Sequence, residues 1–545
     1  MDSHHSQELI DKQIAVHELA IRGLRTLRNT HASISKLPIE ILIEIFLLAR
    51  LPPATSYQER HENRGWLNVA GVCRNWREIT LNAPRMWDTL HTSKLNTLEW
   101  AETLIARSKD VRLHVSCTYP HRATPRAVLD LVFSHVERFQ GLEISLDTSL
   151  NAKIQDILDL RGQSCVLQSL ALYNTDPLFS DANGGVDNFL SEAQMPYLRT
   201  LDVRCFELPH TISVLPQLRS LRYMPLIGTP RTTVAAMLSF LRSTPSLEHL
   251  EILGTLRPSD NGGKELATVE LTKLSFLSYT TPDYGDISLC RFLHYPPSLR
   301  VKFSSLMPSS DTDAYANDLA SILTRVASSD AAAAIDEVSF AAMDGDYFDM
   351  QVLGHDGAVL EIHLPVMEGQ LPPLLKLPTM LPYSGARTLL IHGFHSVTVA
   401  DWANIFTRHS QVQHLTVEDV DSNFFRALLK PTENESPPFT HLKSLLLSQC
   451  DIGEHMALVK RILEEHRQLD ADIGVTIKIE RCRVAQDSIR ELEACAKVVW
   501  DGIEEFVVDS DEEYEYGDET DHNTEEEEDD EEDDDDDELV FISTA

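Results

Sequence analysis

Two stretches of the chain hold residue types that could bind a metal ion. His61-Glu62-Asn63-Arg64-Gly65 begins like the zinc-binding pattern HExxH, but it lacks the second histidine and so cannot hold zinc in that way. Asp344-Gly345-Asp346 begins like a calcium loop, but acidic residues do not follow at the required offsets. We therefore expect no metal ion and no other cofactor.

Patterns that would carry catalysis are also missing from the sequence. It has no GxSxG nucleophile elbow, no phosphate-binding loop and no GxGxxG dinucleotide motif. His455 and His466 lie near acidic residues on a predicted helix, where a solvated helix face explains them. The 8 cysteines are scattered without CxxC pairs, which favours small buried apolar residues over disulfides or zinc ligands. The sequence predicts a protein that is not an enzyme.

The charge of the chain is strongly acidic and concentrated at one end. The net charge is -38, and residues 509–538 hold 22 acidic residues without a lysine or arginine. Such a block repels itself, so we expect residues 501–545 to form a disordered acidic tail. A tail that keeps the protein soluble is the simpler interpretation, and a tail that binds basic proteins is the alternative. The overall charge argues against direct nucleic-acid binding.

The sequence also bears on location. It has no run of about eighteen apolar residues that could span a membrane, so no membrane partner is expected. The first residues lack the basic and apolar regions of a signal peptide. We expect a cytoplasmic or nuclear protein, or one found in both places.

The elements that could position a binding site begin at Leu37. Pro38 suits the first turn of a helix, and the run from Ile39 to Leu48 after it is apolar nearly all round. Such a helix must bury two faces, yet the segment that could cover it is only about fifty residues long, and small modules bury a modest share of their surface. The sequence therefore predicts a protein partner for the second apolar face.

The order LPxEIL, VCxxWR and a closing PxxW resembles the F-box, in the form seen in a large fungal family of F-box-like proteins. The resemblance implies a three-helix adaptor that docks onto the Skp adaptor of Skp–cullin–F-box ubiquitin ligases, and through it onto a cullin. The matching positions are Leu37, Pro38, Ile41, Leu42, Ile45, Val72, Cys73, Trp76 and Trp87. An insertion, residues 51–66, separates the two halves of the motif. The alternative is that Trp76 and Trp87 only fill a small helical core.

The residues before this motif predict one helix, from about Ser6 to Thr30. Its apolar positions alternate four and three apart in a short heptad-like seam, which consists of Ile10, Ile14, His17, Ile21 and Leu24. A helix packed on its own domain is the favoured interpretation, and a weak dimerising coiled coil is the alternative. The predicted boundaries are 1–33 for this helix and 34–92 for the F-box-like domain.

After the motif, short strand-like phrases of the form LxxLxL recur. Their middle leucines lie 20 to 31 residues apart from Leu142 to Leu274, and 30 residues apart from Leu415 to Leu445. That spacing matches leucine-rich repeats, in which stacked units bury a continuous core that one unit could not bury alone. The fold class predicted is mixed α/β, with the helical F-box followed by a leucine-rich-repeat-like solenoid over residues 93–500. An ordinary α/β domain with another strand order is the alternative.

Residues 302–387 fit the repeat pattern poorly. We predict a helix over 314–327 and strands over 338–340 and 359–362. Five prolines lie between Leu364 and Pro382, which predicts a loop because proline fixes φ and removes a hydrogen-bond donor.

In each repeat strand the leucines face the core and the alternate residues face the open, concave side of the sheet. Mixed charges with an aromatic side chain are typical of protein-binding surfaces. The residues predicted on this face are Tyr173, Asp202, Arg204, Arg222, His249, Glu251, His414 and Glu418.

Together, these patterns predict the substrate-recognition subunit of a Skp–cullin–F-box-type ubiquitin ligase, which binds the Skp adaptor through the F-box and an unknown protein substrate through the repeats. Two alternatives stay open. One is an F-box interaction protein without ligase activity, whose acidic tail binds basic proteins. The other is an enzyme whose site is assembled from distant residues.

Overall fold

The repeated apolar phrases form the strands of one long sheet in the computed structural model of the chain. The structure describes residues 2–503, with gaps at 51–67, 119–123, 147–165, 175–194, 207, 209–214, 226–231, 259–265, 284–286, 295, 297–298, 308–311, 328–334, 344–346, 355–356, 367–370, 381–384, 396, 431–435, 470–473 and 483. The predicted acidic tail, residues 501–545, lies outside this part except for its first three residues.

The helices are α1 (Asp2–Thr30), α2 (Ile39–Arg50), α3 (Asn68–Val72), α4 (Arg74–Asn82), α5 (Leu98–Ser108), α6 (Arg126–Phe133), α7 (Val234–Arg242), α8 (Thr312–Ala327), α9 (Leu371–Leu374), α10 (Lys376–Met380), α11 (Val399–Arg408), α12 (Ser422–Ala427), α13 (Ile452–Leu469) and α14 (Gln486–Glu493). A 3-10 helix, Pro84–Trp87, follows α4.

The strands are β1 (Thr89–His91), β2 (Leu113–Cys117), β3 (Phe139–Leu146), β4 (Ser169–Asn174), β5 (Thr200–Arg204), β6 (Ser220–Met224), β7 (His249–Leu253), β8 (Val269–Glu270), β9 (Phe276–Asp283), β10 (Leu293–His294), β11 (Arg300–Met307), β12 (Ile335–Met343), β13 (Tyr347–Gly354), β14 (Gly357–Pro365), β15 (Thr388–His392), β16 (His414–Glu418), β17 (Ser444–Ser448), β18 (Thr476–Glu480) and β19 (Lys497–Trp500).

The strand pairings give a mixed α/β solenoid. Successive strands β1 to β7, then β9 and β11, pair in parallel, and so do β15 to β19. The short strands β8 and β10 form a separate parallel pair. Helices such as α7 and α11 connect strands and bury one apolar side, as predicted. The fold class predicted from the sequence is confirmed.

One antiparallel insertion interrupts the parallel order. Strands β12, β13 and β14 form an antiparallel meander. The order of these strands in the sheet is reversed. The last of them, β14, pairs with β11, whereas the first, β12, pairs with β15. The insertion falls inside the predicted irregular region, residues 302–387, and β13 was not predicted.

Two details of the predicted repeats differ from the structure. Leu277, rather than Leu274, pairs with Leu250, so the middle leucine of this repeat lies three residues later than predicted. The proline-rich stretch predicted as a loop contains α9 and α10. The prolines within these helices lie in the first turn, where a backbone N–H would have no hydrogen-bond partner in the helix, so proline is tolerated there.

A tight turn recurs at the carboxyl ends of the strands. The residue that follows the strand has a positive φ after β5, β7, β15, β16, β17 and β18, at Cys205, Gly254, Gly393, Asp419, Gln449 and Arg481. Two buried cysteines close successive turns: the Cys482 thiol donates to the Leu447 carbonyl at 3.4 Å, and the Cys450 thiol to the Ser448 carbonyl at 3.2 Å. Burial raises the pKa of Cys450 to about 12 and that of Cys482 to about 11, so both remain protonated.

Gly393 is the turn residue with the least space. Its φ is 73°, and a Cβ there would lie 2.1 Å from the carbonyl oxygen of Ala342. We expect Gly393→Ala to lower the free energy of unfolding by roughly 2 kcal/mol or more, because both the backbone and the neighbouring strand must shift. Urea unfolding measures the change. Gly474→Ala is the control, because no atom lies within 4 Å of its Cβ position. Equal effects of the two substitutions would contradict the assignment.

His409 is buried beside Phe340, and this burial makes stability depend on pH. Burial lowers the pKa of His409 from 6.5 to about 4, so the unfolded chain binds a proton that the folded chain does not. Stability should therefore fall as the pH drops from about 6.5 towards about 4, by up to roughly 3 kcal/mol. Urea unfolding at pH 7 and pH 5 should show a smaller loss for His409→Gln than for the parent chain. The His414→Gln variant, which changes an exposed histidine, should lose as much stability between pH 7 and pH 5 as the parent chain. A loss as small as that of His409→Gln would show that His409 is not the source of the pH dependence.

Candidate docking surfaces

Helix α2 fixes the helical module, residues 34–92, to the rest of the chain through one apolar stripe. Leu42 and Phe46 are buried in the core that also contains Trp87. The ring of Phe46 lies 4.8 Å from that of Trp76, measured between centroids. The core side of α2 is therefore fully used in folding.

A second apolar stripe on α2 turns away from that core, with Ile45 at its inner edge still packed against the core. Ile41, Ile45 and Leu48 stand at positions i, i+4 and i+7, which share one helix face. Ile41 is 48% exposed and Leu48 is 66% exposed, while Ile45 is half-buried. We call these three residues the outward stripe. Leu37 and Val72 are exposed apolar residues of the same module. Helix α2 thus has the two apolar faces that its sequence predicts.

The nine predicted docking residues fall into three groups. Leu42 and Trp87 are buried and cannot contact a partner while the module stays folded. The half-buried residues are Ile45, Cys73 and Trp76, and the exposed residues are Leu37, Pro38, Ile41 and Val72. Leu48 was missed, although its i+7 spacing from Ile41 was legible in the sequence.

The spacing of Cys73 and Trp76 in the VCxxWR phrase has a local physical reason in α4. Cys73 occupies the N-cap, and its sulfur accepts a hydrogen bond from the Trp76 backbone N–H at 3.5 Å. This cap sets the first turn of α4 and places the Trp76 ring against Phe46. The two residues therefore act mainly in building the module.

Trp87 joins the helical module to the repeats. Its indole Nε1–H donates to the Thr80 carbonyl at 2.8 Å, and the Arg107 guanidinium of α5 lies 4.6 Å from its ring centroid. Burial is the main cause that lowers the pKa of Arg107, with the charge of Arg77 adding to it. Strand β1 starts two residues later and pairs with β2, so sheet structure begins inside the predicted 34–92 segment.

The open face of the sheet holds six of the eight predicted substrate-binding residues close together. Tyr173, Asp202, Arg204, Arg222, His249 and Glu251 lie on the adjacent strands β4 to β7, with Asp202, Arg222 and Glu251 in one row across the strands. Tyr173 is 9% exposed, which leaves it little surface for a partner.

The charges on these four strands are largely paired with one another. Arg204 makes two contacts with Asp202, at 3.0 and 2.7 Å, and lies 4.6 Å from the Tyr173 ring centroid. Arg222 forms an ion pair with Glu251 at 3.2 Å. Because opposite charges neutralise each other here, this part of the open face presents little net charge to a partner.

His414 and Glu418 do not belong to this group. Both lie on β16, and the strands β9, β11, β14, β13, β12 and β15 stand between β7 and β16 in the sheet. At about 4.8 Å per strand, the two groups are roughly 34 Å apart along the sheet. All eight residues lie on strands of one sheet, but the inserted meander separates His414 and Glu418 from the other six.

The open face beside β14 also carries exposed apolar and aromatic side chains that were not predicted, which we call the meander patch. Leu306 is 69% exposed at the end of β11, and Tyr347 is 40% exposed at the start of β13. The Tyr347 ring stacks on His363 with centroids 5.0 Å apart, and His363 also contacts Asp349. Sequence alone could not show this, because the reversed strand order brings β14 beside β11 and leaves β13 one strand further along the sheet.

The comparisons with known proteins agree with the geometry of the N-terminal module. A family model described as F-box-like matches residues 34–93. The chain carries an F-box-like domain. F-box domains generally serve as binding modules rather than catalysts, and the two stripes of α2 fit that use. No curated protein matches the chain. A crystal structure of a protein from Bacteroides fragilis is similar over 75% of this chain and 78% of its own, with 10% identity and a TM-score of 0.18, a value too low to inform the fold.

Several other features bear on ligands. Within the described ranges, no three His, Cys, Asp or Glu side chains are grouped so that they could hold a metal ion. The two sequence stretches that begin like metal motifs, 61–65 and 344–346, lie outside those ranges. No helix of the described part has both the length and the apolar character that crossing a membrane requires.

We expect Trp87→Ala to destabilise the F-box-like domain by about 3–5 kcal/mol, because it empties a buried site shared with Phe46 and α5. Chemical unfolding followed by tryptophan fluorescence and circular dichroism measures the loss. The half-buried Trp76→Ala is the matched comparison and should cost less. A Trp76→Ala effect larger than that of Trp87→Ala would contradict the packing described here.

Proposed function

We propose that this chain is the substrate-recognition subunit of a Skp–cullin–F-box-type ubiquitin ligase. The observation that carries the proposal is the outward stripe of α2, an apolar surface left over after the core of the F-box-like domain is complete. Burying an apolar side chain of this size contributes about 1.5–3 kcal/mol. The three residues of the stripe, with Leu37 and Val72, would form the apolar surface that a Skp-type adaptor buries.

The repeats would supply the substrate surface. The paired charges of β4–β7 offer little net attraction, whereas Leu306 and Tyr347 give an exposed apolar and aromatic anchor on the same open face. Aromatic side chains are enriched at binding hot spots. We therefore place the main substrate contact on the meander patch, with the open-face residues of β4–β7 and β16 on either side.

The mechanism would be proximity rather than chemistry by this chain. The F-box-like domain holds the receptor on the ligase while the open face holds the substrate. A substrate lysine then reaches the charged conjugating enzyme at a high effective concentration. The receptor contributes binding and orientation, and the transfer of ubiquitin is carried out by the rest of the complex.

The test is co-purification of the full chain with a Skp adaptor and a cullin. Ile41→Asp/Leu48→Asp should weaken adaptor binding roughly 100-fold or more, because it removes two apolar contacts and places charges in the interface. The unfolding free energy of this variant should stay close to that of the parent, since both side chains are exposed. Leu469→Asp, an exposed leucine at the end of α13, is the control and should bind normally.

Each outcome separates the proposed roles. Capture of adaptor and cullin by the parent chain, lost in the double variant, supports the ligase receptor. Capture of the adaptor without the cullin favours an F-box interaction protein without ligase activity. Failure of a folded parent chain to bind the adaptor would contradict the proposal.

A further inference from the structure

Helix α1 is the largest apolar element that no described part of the chain covers. The sequence favoured its packing against its own domain, but residues 6–28 are exposed along the whole helix. Its large apolar side chains are 48–71% exposed: Leu9, Ile10, Ile14, Val16, Leu19, Ile21, Leu24 and Leu27. Most helical stability in proteins comes from packing of an apolar face, so a helix of 29 residues with this exposure indicates a partner.

The charges of α1 are divided between its two halves. Residues 2–15 hold three acids and one lysine, a net charge of -2, and residues 16–30 hold one acid and three arginines, a net charge of +2. Glu8 pairs with Lys12 at 2.8 Å and Glu18 with Arg22 at 3.4 Å. Among the described residues, Asp11 and Arg25 make no ion pair.

We propose that α1 pairs with α1 of a second copy of this chain in an antiparallel two-helix coiled coil. A two-fold arrangement is self-complementary, since each acidic half then lies against the basic half of the other copy. In a parallel pair, acidic half would face acidic half and basic half would face basic half. The divided charge therefore selects both the occupant and its direction.

The heptad positions support this direction. With Ile14 and Ile21 at a, and Ile10, His17 and Leu24 at d, the residues at e are Asp11, Glu18 and Arg25. Positions e and g set partner choice and orientation in coiled coils. In the antiparallel arrangement e faces e, so Asp11 of each copy meets Arg25 of the other, and the two Glu18 side chains, each paired with its own Arg22, meet at the two-fold axis. In a parallel arrangement e would face g, and the g positions carry no charge.

The core layers follow from the same register. Ile21 packs against His17 of the other copy, and Ile14 against Leu24. His17 is a polar residue in the seam, which lowers stability but specifies the register. The overlap is centred near Leu19, so the two copies of Thr30 lie about 33 Å apart at 1.5 Å per residue. The pairing uses no residue of the outward stripe, so this proposal does not depend on adaptor binding.

Sedimentation equilibrium of the full chain at low ionic strength tests the proposal. The parent chain should form a dimer. Ile14→Asp/Ile21→Asp should sediment as a monomer, and Leu19→Asp, at the outward f position, should stay dimeric. Because α1 lies outside the repeat core, the thermal unfolding of that core should be alike in all three proteins. A monomeric parent chain, or equal loss of dimer from Leu19→Asp, would overturn the pairing.

A charge exchange tests the direction. Arg25→Asp places an acid opposite Asp11 in both symmetry-related contacts and should raise the dimer dissociation constant roughly tenfold. Asp11→Arg/Arg25→Asp restores opposite charges in an antiparallel pair and should restore the parent dissociation constant. A double variant as weak as Arg25→Asp would overturn the antiparallel arrangement.

Discussion

One row of apolar side chains crosses the long sheet from its first strand to its last, and the other features of the protein depend on it. The row starts at Leu90 and Val115, continues through Leu201 and Leu250, passes the meander at Val352, and ends at Ile477 and Val498. A single strand with its helix cannot bury such side chains, but each neighbour in the stack covers the next. Removing one repeat would therefore expose the core on both sides of it.

This row determines where binding surfaces can form. Since one side of every strand faces the core, the alternate residues are left on the open face, and their partners are set by strand register. On β4–β7 the register places acids beside arginines, which neutralises that region. At the meander it places the strand ends that carry Leu306 and Tyr347 on either side of β14. At the N-terminal end, Trp87 attaches the F-box-like domain to the same core, so the inner stripe of α2 is used in folding and the outward stripe is left for a partner.

Much of this could be predicted from the sequence, because period and composition are local signals. The two apolar faces of α2, the repeat strands and the residues that alternate with the leucines were all legible. The sequence did not separate the inner residue Leu42 from the outer residue Ile41, since both are apolar and adjacent. Strand β13 alternates Phe348, Met350 and Val352 with polar residues, so its strand pattern was available but was overlooked. The reversed order of β12, β13 and β14 could not be predicted, because strand order depends on pairing between distant segments. The exposure of α1 is likewise a property of the whole fold.

Helix α2 uses one apolar face for the core, and we propose that the other binds a protein partner. Hydrogen–deuterium exchange of the full chain, with and without a purified Skp adaptor, tests this division of α2. We expect added protection in α2 and α3 on binding, with β4–β7 and β15–β18 unchanged. Added protection confined to the repeat sheet, or no change in α2 at saturating adaptor, would contradict it.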